Sequence, residues 1–339
     1  MKCDHSNRPT GTNVMLTVSS SNRIWLNYHD AVIYDSDVAI LQSPNSWLND
    51  SCIHYQMMRY QHDIHKEDSH RLVFIDPSVI SFFMHQCVDE EELLEFYHGQ
   101  GIGGAAMPEG RNNELALQQA VFIPINDTNA AAGVMRGRSS AVGTHWSLLL
   151  VILLVERGED EEKGLLQPIY LHFDPVKSSC NHLAVVAVAT KFHRLLALAE
   201  KSERGFDRIT WSTKDIDIGK MIVRNCRTPQ QRNAHDCGIY TLAVADILAS
   251  TINCQQSSGR NKHTNGMDEI LTSLPKSHGS RTSTVVDHLA RAFDETLLSS
   301  EMVTSKKSFA AAMRAEILNS ILISVGTTDA TKSEPPQSC

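Results

Sequence analysis

No C-x-x-C pair occurs anywhere in this 339-residue sequence, although it holds eight cysteines. Cys3, Cys52, Cys87, Cys180, Cys226, Cys237, Cys254 and Cys339 are scattered. Neither a zinc ribbon nor a disulfide framework is indicated, and reduced thiols in the cytoplasm or nucleus are expected. Long apolar runs are missing too. The longest, Leu148 to Val155, spans eight residues, whereas a membrane helix needs about twenty, so no membrane partner is expected. No apolar stretch follows a basic start, and no signal peptide is expected. A basic excess is absent: the net charge is -8, which argues against a general nucleic-acid binder. No internal repeat is found.

What is present is the composition of a soluble globular protein, 42% hydrophobic and 21% charged,. Residues 1–22 are polar and expected to be disordered. One domain is expected over 23–325, with polar or glycine-rich insertions near 99–111 and 255–281, and a disordered tail over 326–339. Within it, helices are expected from Asn49 or Asp50 to Tyr60, from Pro77 to Cys87, Glu90 to Tyr97, Leu183 to Glu200 and Ile239 to Ile252. Two more follow, near Thr284 to Leu298 and Ser308 to Ile323. Strands are expected at Leu72–Ile75, Ala120–Ile125, Thr144–Val155, Leu165–Asp174 and Met221–Val223. The charge run Glu156 to Lys163 reads as a solvated turn.

Chemistry concentrates at Gln231-Arg232-Asn233-Ala234-His235-Asp236-Cys237-Gly238-Ile239-Tyr240. A polar, turn-prone run ends in Asp-Cys-Gly, and an apolar helix follows. Cys237 therefore falls at or just inside a helix N-terminus, where unpaired amides and the positive dipole end favour a thiolate. Gln231 lies six residues earlier, where its amide can reach back to the same point. Alone, this stretch reads rather as a buried structural cysteine, the commoner fate of a free thiol.

The two strands upstream supply partners. Paired as a hairpin about a turn centred between Glu159 and Asp160, they set His145 opposite Asp174, and opposed residues project from one face. A His and an Asp at the open end of an apolar hairpin make an oriented imidazole. Cys237, His145, Asp174 and an amide donor are together a nucleophile, base, orienter and oxyanion donor. The spacing does not by itself bring Cys237 to His145. A metal site at His62, His65 and His54 or Cys52 is the weaker alternative, because no Cys or His pair completes a zinc set.

At these residues the chain resembles the sentrin-specific protease family, cysteine proteases of ubiquitin-like modifiers. The resemblance rests on Trp47-Leu48-Asn49-Asp50, on Gly143-Thr144-His145-Trp146-Ser147, on Gln231 to Tyr240, and on the segment from Ile125-Asn126-Asp127 into the second motif, which looks closest to the deneddylase branch. It runs from about Asp35 to about Ile323. It implies an α+β, papain-like fold of the ubiquitin-like protease type, with a central mixed sheet flanked by helices. It also implies His145 as base, Asp174 as orienter, Cys237 as nucleophile and Gln231 as oxyanion donor. Trp47, Asp50 and Trp146 would border the modifier's Gly-Gly tail. No cofactor or metal is implied. The expected partners are a ubiquitin-like modifier and its conjugates, handled by a monomer. A protease for the sentrin modifier, or a module that binds a modifier without cutting it, are the competing readings.

Overall fold

The run from Leu148 to Leu154 is apolar at every position because both faces of its strand are buried,. Leu148, Leu150, Ile152 and Leu154 enter one hydrophobic core, and Leu149, Val151 and Leu153 enter another. This computed structural model describes residues 23–102, 115–127, 145–157, 164–177, 181–203, 223–253, 267, 270–271, 281–300 and 309–331. The sheet has five strands in sequential order: β3 (Leu72–Phe74), β4 (Leu115–Asn126), β5 (Trp146–Arg157), β6 (Gly164–Phe173) and β7 (Val223–Cys226). The outer pairings, β3 with β4 and β6 with β7, are parallel, and the two inner ones are antiparallel. The expected mixed sheet is therefore present, with helices on both faces.

One face carries α3 (Pro77–His85), α4 (Glu90–Gly99) and α5 (His182–Glu203), whose core includes Ile80, Phe83, Phe96, Val188 and Phe192. The other face carries α2 (Asp50–Arg59), α6 (Cys237–Asn253), α7 (Arg281–Ser299) and α8 (Phe309–Thr331). A hairpin of β1 (Ile24–Tyr28) and β2 (Ala31–Tyr34), followed by α1 (Asp35–Gln42), closes this side. Local signals start several helices. Asn49 accepts from the Cys52 N–H to cap α2, and Asp76 caps α3 ahead of Pro77,. Asp89 and Glu92 form a reciprocal capping box on α4,.

Several expectations need correction. The β5–β6 register pairs Leu148 with Phe173, so the two numbers sum to 321 rather than 319, and His145 does not stand directly opposite Asp174. The shift is two residues. Side chains alternate with period two, so both residues keep their face. The last strand spans Val223–Cys226 and so runs three residues past its expected end, while Met221 and Ile222 lie outside the described residues. Helix α8 continues through Thr331, into the segment expected to be a disordered tail. Glu156 and Arg157 belong to β5 rather than to a turn. Residues 1–22, 103–111, 128–144, 158–163 and 255–266, and with them most of both insertions, lie outside the described residues.

Two stretches, His182–Ala199 in α5 and Phe309–Gly326 in α8, have the length and apolar composition of a membrane span. The first is 56% buried against the sheet, whereas only 17% of the second is buried, and Leu322 and Ile323 lie exposed on it.

Candidate active site

Helix α6 opens on Cys237, so the expected helix-tip thiol is in place, 1% exposed. Three devices put it there. Asn233 folds the preceding loop into a turn: its Oδ1 accepts from the N–H groups of His235 at 3.2 Å and Asp236 at 3.0 Å,. Its Nδ2 donates to Asp236 Oδ2 at 2.6 Å. The first helical hydrogen bond, from Tyr240 N–H to Asp236 O, then begins α6. Gly238 is required by crowding. A Cβ there would meet Leu48 Cβ at 3.0 Å and Ile53 Cδ1 at 3.2 Å. The glycine of Asp-Cys-Gly thus lets α6 lie against the Trp47-Leu48-Asn49-Asp50 segment.

His145 stands just before β5. Its backbone carbonyl accepts from Asp127 N–H at 3.2 Å and from the Asn181 side-chain amide at 3.3 Å. Asn181 is fully buried and also donates to Ile125 O and Ser147 Oγ, so one amide clasps the ends of β4 and β5. The imidazole Nε2 lies 2.8 Å from Asp174 Oδ1, and its second hydrogen-bond partner is the Cys237 side chain. The three sequence-predicted residues therefore meet. Burial pushes the His145 pKa down, but the hydrogen bonds and charges of Asp174 and Cys237 outweigh it and lift the imidazole to about 10,. At neutral pH the ring is an imidazolium held between a carboxylate and a sulfur.

Asp174 ends β6, and its Oδ1 also accepts from Val176 N–H at 2.8 Å. Its Oδ2 is buried without a hydrogen-bond partner and lies 3.9 Å from His172 Nε2, which is likewise unpartnered. His172 shares Asp174's face of β6, is 2% exposed, and is held at Nδ1 by Asn225 Oδ1 at 2.8 Å,. Burial keeps its pKa below the ordinary histidine value. His172 and Asp174 both line a cavity of about 620 Å³ that Cys237 does not line. Asn181 and His172 escaped sequence analysis. Neither sits in a motif, and each acts through a contact made across elements.

The remaining predicted residues are placed less simply. Gln231 is tied by its backbone N–H to Pro175 O at 3.0 Å, which fastens the loop before Cys237 beside Asp174. Its side-chain amide donates to Asn233 O at 2.7 Å, and its Oε1 is buried and unpartnered. An amide nitrogen carries two hydrogens, and one is used here. Trp47 keeps 42% of its surface exposed, whereas Trp146 is 2% exposed and donates from its indole N–H to Leu48 O at 2.9 Å. Of the two rings expected to border the modifier's tail, Trp47 is the exposed one and Trp146 is buried. Asp50 is exposed at the first turn of α2, where partial desolvation and then the charge of Asp76 raise its carboxyl pKa. The histidines of the alternative metal reading each have other company. His65 is buried against Asp246 at 2.9 Å rather than solvated, His54 faces Asp76, and His62 stacks on His29. Among the described residues no group of three or more metal-ligating side chains occurs.

A helix-tip thiol, an imidazolium and an orienting carboxylate in contact define a cysteine protease of the papain type. The profile of the Ulp1 protease family's C-terminal catalytic domain matches residues 46–277. That is more than half of the chain, and the chain belongs to this family. It is 26% identical over 235 residues to the probable sentrin-specific protease 8 of Dictyostelium discoideum, covering 68% of this chain and 77% of that one. Human sentrin-specific protease 8 is 26% identical over 234 residues, covering 68% and 84%. NEDD8-specific protease 1 of Arabidopsis thaliana is 25% identical over 232 residues, covering 66% and 74%. Among solved structures, a de-sumoylating protease aligns over 91% of this chain and 94% of its own with a TM-score of 0.49 and 11% identity.

Proposed function

We propose that this cysteine protease cleaves the amide after the C-terminal diglycine of a ubiquitin-like modifier, with the neddylation modifier preferred. The observation that carries the reading is the contact of His145 with both Asp174 and Cys237, at the end of the helix on which the segment of Trp47 and Leu48 packs. The Cys237 sulfur attacks the terminal glycine carbonyl. The His145 imidazolium donates its proton to the leaving amine, which departs as a lysine side chain or a short C-terminal extension. Water, deprotonated by the now neutral His145, hydrolyses the thioester. The spare N–H of Gln231 and the Cys237 backbone N–H hold the oxyanion. A tail without side chains suits a slot walled by Trp47. Preference for the neddylation modifier is supported by the segment from Ile125 to Ser147, which is similar to the deneddylase branch, and by relatives with NEDD8-specific names. The free thiols of Cys52, Cys87, Cys226 and Cys237 suit a reducing compartment, cytoplasm or nucleus,.

The test is incubation with a panel of ubiquitin-like modifiers carrying a C-terminal electrophile, read by mass spectrometry. The expected result is an adduct of the neddylation modifier on Cys237, absent in Cys237→Ser. An adduct with the sentrin modifier alone would replace the preferred substrate, and no adduct with any modifier would end the reading.

A further inference from the structure

Arg314 on α8 lies outside the matched catalytic segment, yet it reaches the residue next to the nucleophile. It is 3% exposed. Its Nη2 donates to Asp236 Oδ1 at 3.1 Å and to Ser46 O at 2.6 Å, and its Nη1 donates to Ile40 O at 3.4 Å. One guanidinium thus ties the end of α1, the segment leading into Trp47, and the loop leading into Cys237. The ion pair with Asp236 is buried, the two side chains being 4% and 10% exposed. A lone buried carboxylate is strongly unfavourable, and here it would stand directly before a sulfur that must carry negative charge. Asp236 already accepts from Asn233, but that bond brings no positive charge.

The structure assigns Arg314 as a positioning residue of the active site: it neutralises Asp236, so that Cys237 can ionise beside it, and it locks the Trp47 wall to the nucleophile loop. Helix α8 is then a working part of the catalytic unit rather than an appendage. The assignment rests on Cys237 being the nucleophile, not on which modifier is cut.

The test reads the thiol directly, without any modifier. The rate of Cys237 alkylation by iodoacetamide is followed against pH in the full chain, with folding checked by thermal unfolding. In Arg314→Met the neutral-pH rate is expected to fall about tenfold or more, recovering at higher pH, as removal of one charge partner shifts an ionisation by about one pH unit or more. Arg314→Lys restores the profile. The double variant Arg314→Met with Asp236→Asn, which removes both charges, restores it as well. A folded Arg314→Met with the unmodified profile overturns the assignment, as does a double variant that reacts no faster than Arg314→Met. Should Arg314→Met fail to fold, a double variant that folds and reacts normally supports the assignment, and one that does not overturns it.

Discussion

Replacing Asp174 by Asn isolates the charge from the shape of the triad. The 2.8 Å contact to His145 Nε2 can survive, because an amide oxygen still accepts, and what disappears is the negative charge. A hydrogen bond to a charged partner is worth about 1.5–3 kcal/mol and a neutral one about 1 kcal/mol. The exchange therefore removes about 0.5–2 kcal/mol of the preference for imidazolium, or about one pH unit. His145 in the native protein titrates at about 10, so the alkaline limb of kcat/KM lies near there and should move down by about one pH unit in Asp174→Asn. The assay is hydrolysis of a fluorogenic modifier amide across the alkaline range. Stability must follow with a fixed sign. A histidine raised from 6.5 lends stability that is complete below 6.5 and is lost as pH rises through about 10,. The variant should therefore be less resistant to urea than the native protein at pH 7, and the gap should close in strong alkali. An alkaline limb that stays in place would refute the reasoning, since Asp174 would then not be what holds the proton on His145.

Gly238→Ala should lose about 1–3 kcal/mol to overpacking. The gain of about 1 kcal/mol in helix propensity does not offset this, because the colliding Leu48 Cβ at 3.0 Å sits on the backbone and cannot swing aside. Urea titration measures the loss, and a stabilised variant would remove the packing explanation of the motif. Asn181→Ala strips a buried donor from Ile125 O, His145 O and Ser147 Oγ. Its expected cost is about 2–3 kcal/mol in stability. A fall in kcat is also expected, measured at a temperature where the variant is fully folded, because His145 loses a backbone anchor.

The elements legible in the sequence are those whose signal is local. Strand β5 shows as an unbroken apolar run because two cores share it, and α2, α3 and α4 start at side chains that cap them within a few residues. The place of Cys237 at the head of α6 is likewise written into the switch from polar loop to apolar helix. The register of β5 and β6 is not local. It depends on how the turn closes, and shifting the assumed centre by one position moves every pair by two. The face survives such a shift but the exact partner does not. The β1–β2 hairpin carries little local signal, since its strands hold five and four residues and bury only one and two of them.

What sequence reading finds least easily is the support behind the triad, because each support joins positions far apart in the chain. Asn181 reaches back 36 residues to His145, His172 is held by Asn225 53 residues on, and Arg314 meets Asp236 across 78. The Asp-Cys-Gly motif makes the point within three residues. Cys237 is interpretable from its neighbours because a helix tip is a local object. Asp236 and Gly238 are not, since one answers to α8 and the other to the close approach of Leu48. A motif of adjacent letters is thus three separate constraints arriving from three directions, and only the middle one concerns the chemistry of sulfur. The flanking pair determine where that sulfur is, and a substitution in either should act on Cys237 through position and charge rather than by removing a reacting group.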